Sequence, residues 1–189
     1  MVTIGEEKYR NELGHLIRLQ SLLVSEQVLP LRIGLHWQNL RKTKFKLSLV
    51  GVEGLVANPA VASNFKCSSH EIEVEVPPEY LSLTRTRENA PKMVFARPLF
   101  HPHVYKHGAI CWGTGKATEE DIFLVDWMVA AIEYIQYVPE RINPASPAHD
   151  WGREALNWYS SNRSRIGKYL NALDLSRLRR LVGLSKGIV

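Results

Sequence analysis

One short segment concentrates the side chains that can do chemistry. Residues 100–113 have the sequence Phe-His-Pro-His-Val-Tyr-Lys-His-Gly-Ala-Ile-Cys-Trp-Gly, and they contain three of the seven histidines and one of the two cysteines. Imidazole exchanges protons near neutral pH, and a thiolate is a strong nucleophile. The segment therefore predicts a site at Cys111, with His101, His103 and His107 as its neighbours along the chain.

Two kinds of chemistry follow from these residue types alone. His101, His103, His107 and Cys111 are all ligand types that zinc accepts. Their spacing matches no finger or ribbon pattern, however, and the chain has no Cys-x-x-Cys pair. The second possibility is a cysteine hydrolase, in which His101 or His103 activates Cys111 for attack on an acyl group. No nucleophile motif at a helix start accompanies Cys111, so the sequence favours neither alternative.

The composition is that of one globular domain with a substantial core. The chain has 189 residues, 45% of them hydrophobic and 23% charged. No apolar run approaches the roughly eighteen residues that a membrane span needs. The first thirty residues carry four glutamates instead of the basic and then apolar pattern of a secretion signal. We therefore expect a cytoplasmic protein that has no membrane partner and no disulfide framework.

The net charge of +5 is concentrated near the C-terminal end. Residues 1–150 contain 16 basic and 17 acidic groups, whereas residues 151–189 contain 8 and 2. A basic segment of this kind is consistent with an acidic partner, with nucleic acid or with a solvated helical face. Only Tyr159 and Tyr169 lie beside these basic residues as candidates for base stacking, so nucleic-acid binding is not favoured.

Hydrophobic periodicity predicts the elements that position the segment. Residues 5–25 have the apolar spacing of an amphipathic helix. Apolar and other residues then alternate with the period of a strand in three segments, at 31–37, 45–49 and 71–76. A fourth candidate strand is the short apolar segment at 93–95. The short intervals between these segments favour an antiparallel meander, because parallel pairs need long crossovers.

A buried helix is predicted after the histidine-rich segment. Thr118 and Asp121 form a helix-start pattern, and residues 122–137 are apolar nearly all round. Residues 143–150 are predicted to form a loop. Two further helical patterns follow, one that begins at Trp151 and one that begins at Asp174. Strands and helices segregated in this way predict an α+β fold.

The spacing around Cys111 resembles that of the ubiquitin-conjugating enzyme family. In that family a His-Pro-Asn motif stands eight positions before the catalytic cysteine, which usually follows Gly-x-Ile. Here His101-Pro102-His103 stands eight positions before Cys111, and Gly108-Ala109-Ile110 precedes the cysteine.

The resemblance extends over roughly residues 5–165. Residues 91–95 (Pro-Lys-Met-Val-Phe) are similar to the family's Pro-Lys-Val-x-Phe strand, and residues 143–147 (Asn-Pro-Ala-Ser-Pro) to the Asn-Pro-Asp-Asp-Pro loop that faces the cysteine. The resemblance implies a catalytic domain over 1–165 with the family's fold: N-terminal helix, four-stranded antiparallel meander, active-site loop, buried central helix and C-terminal helices. Residues 166–189 are expected to form a basic helical extension packed on or following that domain.

The resemblance also implies an activity. Cys111 would accept the C-terminus of a ubiquitin-like protein as a thioester from an activating enzyme, and would pass it to an amine, a lysine, of a target protein. Ser146 holds the position from which the family's loop orients that lysine. His101, Pro102 and Gly108 would build the loop around the cysteine. No metal and no cofactor are implied.

His103 departs from the family pattern, which has asparagine at this position. The asparagine holds the loop and is proposed to donate a hydrogen bond to the developing oxyanion. Neutral imidazole also donates one hydrogen bond. We therefore expect His103 to be either a catalytic donor or a support for the loop, with pH dependence near 6.5. Tyr105, His107 and Trp112 flank the thiol and could tune access to it, but packing is the expected role of all three.

Partner positions match the family only in part. Lys8, Arg10 and Arg18 on the first helix match the region that docks the activating enzyme, with a solvated face as the alternative. Glu88 stands where the family has the aromatic residue that docks ligases, so ligase binding is not implied. Glu119 stands where the family has a tryptophan after the cysteine.

These departures resemble the conjugating enzymes of bacterial ubiquitin-like operons that are linked to antiviral defence. A non-catalytic module of the same fold, which binds a ubiquitin-like protein without turnover, stays open as the main alternative. A zinc-binding protein and a nucleic-acid-binding protein are the other two.

Overall fold

The elements follow the order helix, four strands, helices. The structure is a computed structural model that describes residues 4–27, 29–40, 42–56, 66–81, 90–112 and 123–187. Helix α1 (Ile4–Glu26) precedes strands β1 (Arg32–Trp37), β2 (Lys44–Leu55), β3 (Lys66–Glu75) and β4 (Lys92–Phe95). The helices that follow are α2 (Leu124–Ile135), α3 (His149–Asn162), α4 (Ile166–Tyr169) and α5 (Leu175–Lys186). The fold is α+β, as the sequence predicts.

The four strands form one antiparallel sheet in the order β1-β2-β3-β4. Leu47 of β2 lies opposite Leu35 of β1 and Ile72 of β3. Val74 of β3 lies opposite Met93 of β4. Consecutive strands are therefore neighbours, which confirms the predicted meander.

Alternation along the strands determines which face of the sheet is buried. Phe45, Leu47 and Leu49 of β2 are at most 1% exposed. On the opposite face, Lys46 Nζ lies 2.9 Å from Glu71 Oε1 of β3. An exposed ion pair contributes little to stability, so the apolar face stabilises the sheet by its burial.

Helix α1 packs its apolar stripe against this core. Leu13, Leu16 and Leu19 are buried. Gln20 Nε2 donates a hydrogen bond to the carbonyl oxygen of Ile33 in β1, at 2.7 Å. The helix is amphipathic, as the sequence predicts.

Helix α2 is the buried central helix that the sequence predicts, since every one of its 12 residues is buried. At its start, Asp126 Oδ2 accepts the backbone N–H of Phe123 at 2.9 Å. Thr118 and Asp121, the predicted start pattern, lie outside the described residues. Of the helices that the structure describes, none is both long enough and apolar enough to cross a bilayer.

Two buried carboxylates on α2 are neutralised by arginine and lysine side chains. Glu133 is fully buried, with Oε2 2.5 Å from Arg141 Nε and Oε1 2.5 Å from Arg179 Nη2. Asp126 Oδ1 lies 2.5 Å from Lys186 Nζ. Arg179 and Lys186 belong to α5, so part of the C-terminal basicity pairs with charges inside the protein.

Helix α5 also contributes to the main hydrophobic core. Leu178, Leu181 and Val182 belong to the same buried cluster as the sheet, α1 and α2. Asp174 caps the helix by accepting a backbone N–H from its first turn, at 2.9 Å. The described part of residues 166–189 therefore packs on the preceding residues and shares their core.

Breaking the Glu133 ion pair tests the role of these charges. We expect Arg141→Met to destabilise the fold by about 3 kcal/mol, because it leaves a fully buried carboxylate oxygen without its cation. The measurement is the free energy of unfolding from urea titration. Arg153→Met, at an exposed arginine of α3, is the control and should stay within about 0.5 kcal/mol of the wild type. Equal losses in the two variants would contradict the assignment.

Candidate active site

Residues 104–110 form a small hairpin that docks on β4. Val104 pairs with Ile110 within the hairpin, and Ala109 pairs with Val94 of β4. These bridges tie the hairpin backbone together and to a strand of the sheet, so the position that follows the hairpin is also fixed. That position is the predicted nucleophile.

Gly108 makes this docking possible. Its φ is 92°, a value that residues with a side chain rarely adopt. Its carbonyl oxygen accepts the N–H of Phe95 at 2.9 Å, and its own N–H donates to the carbonyl oxygen of Tyr105 at 2.8 Å. A Cβ at this position would lie 2.2 Å from the carbonyl oxygen of Phe95. The hairpin can approach β4 this closely only with glycine here.

The turn formed by residues 101–103, here called the support turn, is buried and internally bonded. His101 and His103 are both 0% exposed. The N–H of His103 donates to His101 Nδ1 at 3.1 Å, and the N–H of Val104 donates to the carbonyl oxygen of His101 at 3.1 Å. The His101 ring packs against Tyr134 of α2, with 4.8 Å between ring centroids. The turn is thus fixed to the central helix.

The loop at 143–149 is hydrogen-bonded to the support turn at two points. The N–H of Asn143 donates to His103 Nε2 at 2.8 Å, and the N–H of Ala148 donates to the carbonyl oxygen of Pro102 at 2.8 Å. Ser146 lies half-buried within this loop, and its N–H donates to the carbonyl oxygen of Asn143 at 3.3 Å. Ser146 is therefore carried by a loop whose two ends are fixed.

Helix α3 approaches the support turn as closely as the loop does. A Cβ on Gly152 would lie 2.3 Å from the carbonyl oxygen of Pro102. Any larger residue at 152 would push the helix away from the turn. The support turn is consequently enclosed by α2, α3 and the 143–149 loop.

Cys111 is held by the support turn and is partly open to solvent. Its N–H donates to the carbonyl oxygen of His103 at 2.9 Å, and its side chain is half-buried. The Tyr105 hydroxyl donates to Cys111 Sγ, with 3.4 Å between oxygen and sulfur. Cys67 differs, because its thiol donates to the carbonyl oxygen of Ser69 at 2.8 Å. One sulfur accepts a hydrogen bond, and the other donates one.

The residue after Cys111 anchors the chain in the core. Trp112 is buried, and its Nε1 donates to the carbonyl oxygen of Pro91 at 2.8 Å. Its ring contacts those of Trp127 and Tyr134 on α2, with centroid distances of 4.9 and 5.6 Å. Trp112 packs as the sequence predicts, and it keeps Cys111 at the edge of the core.

Burial keeps the two histidines of the support turn neutral. Burial lowers the pKa of His103 to about 4. Burial, followed by the proximity of His103, holds the pKa of His101 well below 6.5. The expected titration of His103 near pH 6.5 is therefore wrong, because that value belongs to a solvated ring.

Tyr105 packs, as expected, and it also donates a hydrogen bond that was not expected. Its hydroxyl contacts the sulfur, and its ring stacks on His107 with centroids 5.4 Å apart. The hydrogen bond to Cys111 and then burial raise the pKa of Tyr105 above its ordinary value. Tyr105 therefore remains a protonated donor at neutral pH.

The other predicted site residues lie elsewhere. Lys8, Arg10 and Arg18 of α1 line a cavity of about 520 Å³ together with Lys186 of α5. Cys111 is not among the residues that line it. Glu88 and Glu119 lie outside the described residues.

Metal ligation is not supported by the described part of the chain. There, no group of three or more His, Cys, Asp or Glu side chains converges in a way that could hold an ion. His103 is one of the four candidate ligand residues, and its Nε2 accepts the N–H of Asn143. It is therefore engaged inside the protein.

Three features of the site were not predicted from the sequence. They are the hydrogen bond from the Tyr105 hydroxyl to Cys111, the close approach of Gly152 to Pro102, and the hydrogen bond from the Asn143 N–H to His103. Each joins residues that are distant in the chain or that lie in loops. Tyr105 was within reach of prediction, since a tyrosine six positions from a reactive cysteine is a candidate donor. The other two depend on how the loop and α3 pack.

Comparisons with known proteins gave no matching family model and no matching curated protein. The function is therefore inferred from the residues of the site, from their spacing and from their geometry.

Gly108 provides a test of how the hairpin docks. We expect Gly108→Ala to destabilise the protein by at least about 2 kcal/mol, because the positive φ disfavours a side chain and the Cβ meets a backbone oxygen. The measurement is the urea midpoint of unfolding. Gly167→Ala is the matched control, since no atom lies within 4 Å of its Cβ position. A midpoint for Gly108→Ala equal to that of the control would contradict the docking.

The buried histidines predict acid sensitivity. A histidine whose pKa is lowered on folding binds its proton more readily in the unfolded chain, so stability is fully present above pH 6.5 and is lost as the pH falls toward 4. We expect His103→Asn to reduce the slope of unfolding free energy against pH near pH 5 by up to about 1.4 kcal/mol per pH unit. His36→Asn, at an exposed histidine of β1, should leave the slope unchanged. An undiminished slope in His103→Asn would refute the assignment.

Proposed function

We propose that this chain is a ubiquitin-conjugating-type enzyme with Cys111 as its nucleophile. In this proposal Cys111 accepts the C-terminus of a ubiquitin-like protein from an activating enzyme as a thioester. It then transfers the acyl group to an amine, a lysine, of a target protein. The observation that carries the proposal is the presentation of Cys111: a half-buried residue at the edge of the core whose sulfur accepts a hydrogen bond from Tyr105.

The fixed backbone of Cys111 supports a nucleophilic role. Its N–H is bonded to the support turn, and the flanking Ile110 and Trp112 are buried. A nucleophile held in one place loses little freedom when the acyl group arrives, which lowers the barrier to attack. Cys67 offers no such arrangement, because its thiol donates to a neighbouring carbonyl.

The first half-reaction is a transfer between two sulfurs. The Cys111 thiolate attacks the carbonyl carbon of the incoming thioester, and the carbonyl oxygen becomes an oxyanion. When the oxyanion collapses, the thiolate of the activating enzyme leaves. One carbon–sulfur bond forms and one breaks, so the exchange requires no metal or redox partner.

The second half-reaction has a larger barrier, because the acceptor amine is normally protonated. An ordinary lysine has a pKa near 10.4, so deprotonating it at pH 7 takes roughly 4.6 kcal/mol. A partly desolvated approach to the sulfur lowers this figure. The neutral amine attacks the thioester carbon, the Cys111 thiolate leaves, and the amine proton passes to solvent.

In this proposal the loop at 143–149 forms one side of the path by which the acceptor lysine reaches Cys111. Ser146 has a hydroxyl that can orient an amine but cannot serve as an effective base near neutral pH. The loop is fixed through Asn143 and Ala148 to the support turn. In this proposal, therefore, the lysine is positioned by a rigid, half-buried loop, and desolvation does most of the activation.

The fold and family are part of the same proposal. An N-terminal helix, a four-stranded meander, a fixed loop that ends in the cysteine and a buried central helix are the arrangement that the resemblance implies. We propose that the fold is that of ubiquitin-conjugating enzymes. The support turn has histidine where the family has asparagine. In this proposal His103 takes over one of the two roles of that asparagine, the holding of the loop, by accepting the N–H of Asn143.

The proposed docking site for the activating enzyme is the basic surface of α1. Arg10 and Arg18 are exposed, and Lys8 is half-exposed. Within the described residues, none of these three side chains belongs to an ion pair with a carboxylate. Three such cations around one surface cavity suit an acidic surface on a partner.

Reconstitution tests the proposal directly. The chain is mixed with its activating enzyme, ATP and its ubiquitin-like partner, and adducts are followed by non-reducing gels and intact mass. We expect a thiol-sensitive adduct on the wild type, none on Cys111→Ala and a thiol-resistant ester on Cys111→Ser, because oxygen esters resist thiol exchange. Cys67→Ala is the matched control and should load like the wild type.

Two results would overturn the proposal. A thiol-sensitive adduct on Cys111→Ala would place the chemistry on another sulfur. Binding of the ubiquitin-like protein without any adduct on the wild type would make the chain a non-catalytic binding module.

A further inference from the structure

Both half-reactions are favoured by a hydrogen-bond donor beside the sulfur. Negative charge lies first on the Cys111 thiolate and then on the oxyanion of each tetrahedral intermediate. A donor aimed at the place where charge develops is a large contributor to catalysis of acyl transfer. The identity of this donor is a separate question from whether Cys111 is the nucleophile, although the answer rests on the proposed function.

His103 is poorly placed to be that donor. Its side chain is 0% exposed, so a substrate that arrives from solvent cannot touch it. Its Nε2 accepts the N–H of Asn143 at 2.8 Å, which fixes the ring as a support for the 143–149 loop. His101 is equally buried and packs on Tyr134. Neither imidazole of the support turn lies open to the reacting atoms.

Tyr105 meets the geometric requirement. Its hydroxyl donates to Cys111 Sγ at 3.4 Å, and the residue is half-exposed. The carbonyl oxygen of an acyl group on Sγ lies only two bonds from the sulfur. A hydroxyl that already contacts the sulfur can therefore turn to that oxygen without a change of backbone.

Two histidine rings hold the phenol in place. His107 stacks on Tyr105 with centroids 5.4 Å apart and planes 19° apart. His149, at the start of α3, lies against the same ring at 5.2 Å and 45°. His149 has a φ of 53°, an uncommon value for a residue with a side chain. The ring is thereby supported both from its own hairpin and from the 143–149 loop.

We propose that Tyr105 is a catalytic residue, which donates a hydrogen bond to the Cys111 thiolate before loading and to the oxyanion during both transfers. The phenol keeps its proton throughout. It donates to sulfur in the free enzyme, to oxygen while the carbonyl carbon is tetrahedral, and to sulfur again when the Cys111 thiolate leaves. The sequence of bonds made and broken is that of the two half-reactions given above.

The first test needs no partner protein. In a Cys67→Ala background, the rate at which iodoacetamide alkylates Cys111 is measured from pH 5 to 10. We expect Tyr105→Phe to slow alkylation at pH 7 about tenfold, the low end for a hydrogen bond to a charged group. The deficit should disappear or reverse at high pH, because both proteins are then thiolate and the sulfur without the hydrogen bond is the stronger nucleophile. Tyr105→Phe keeps the ring and its stacking, so the fold should be retained.

Tyr169→Phe is the matched control for this measurement. Its hydroxyl contacts Asn162 at 3.4 Å, on the C-terminal helices, and is removed by the same substitution. Its alkylation profile should match that of the Cys67→Ala background. A Tyr105→Phe profile that also matches the background would overturn the thiolate contact, and with it the proposal.

The second test concerns the oxyanion. The preformed thioester is mixed with free lysine, and its decay is followed in a single turnover. We expect Tyr105→Phe to lower the maximal rate at least about tenfold while the lysine concentration at half-maximal rate stays the same, because the lost interaction is made in the transition state. An unchanged maximal rate would overturn the oxyanion role.

The two tests separate this inference from the proposed function. If no thioester forms on the wild type, the proposed function fails, and the alkylation profile still decides whether Tyr105 stabilises the Cys111 thiolate. If the thioester forms and both Tyr105→Phe measurements match the control, the function stands and the role of Tyr105 is wrong.

Discussion

The site depends on one buried turn, in which Pro102 and His103 bind partners on both sides. The carbonyl oxygen of His103 accepts the N–H of Cys111, while His103 Nε2 and the carbonyl oxygen of Pro102 accept N–H groups of the 143–149 loop. Buried polar groups must be paired to avoid a large penalty. Because the same two residues bind Cys111 and the loop, neither Cys111 nor the loop can shift without breaking bonds to the turn.

A second constraint comes from charge buried in the central helix. Glu133 and Asp126 lie in an otherwise apolar helix, and their cations come from α5 and from Arg141. Buried carboxylates without these partners would strongly disfavour folding. The basic C-terminal segment therefore ties α5 over α2, and α2 in turn supports the support turn through Tyr134. The basicity has a structural use in addition to any role toward partners.

Much of the fold was predictable from the sequence, because periodicity reports burial directly. The alternation at Phe45, Leu47 and Leu49 predicts the buried face of β2, and the apolar run after residue 122 predicts the buried α2. The assignment of Cys111 as the candidate nucleophile rests on the resemblance carried by residues 101–111, and it stays a prediction. These signals are local in the chain, so one sequence is enough to detect them.

The parts that were not predictable depend on contacts between distant residues. The pKa of His103 moves from 6.5 to about 4 because three elements bury the ring, which its neighbours in sequence do not reveal. Arg179 pairs with Glu133 across 46 residues, so composition alone counts it as a surface charge. The partner loop at Glu88 lies outside the described residues.

The central claim is that the sulfur of Cys111 carries the acyl group, and locating the adduct tests this claim most directly. The wild-type chain is loaded with its ubiquitin-like partner, digested under acidic conditions without reductant and mapped by tandem mass spectrometry. The account predicts that the partner's C-terminal peptide is attached to the sulfur of the peptide that contains Cys111. Attachment at Cys67 or at a lysine, with an unmodified Cys111 peptide, would contradict it.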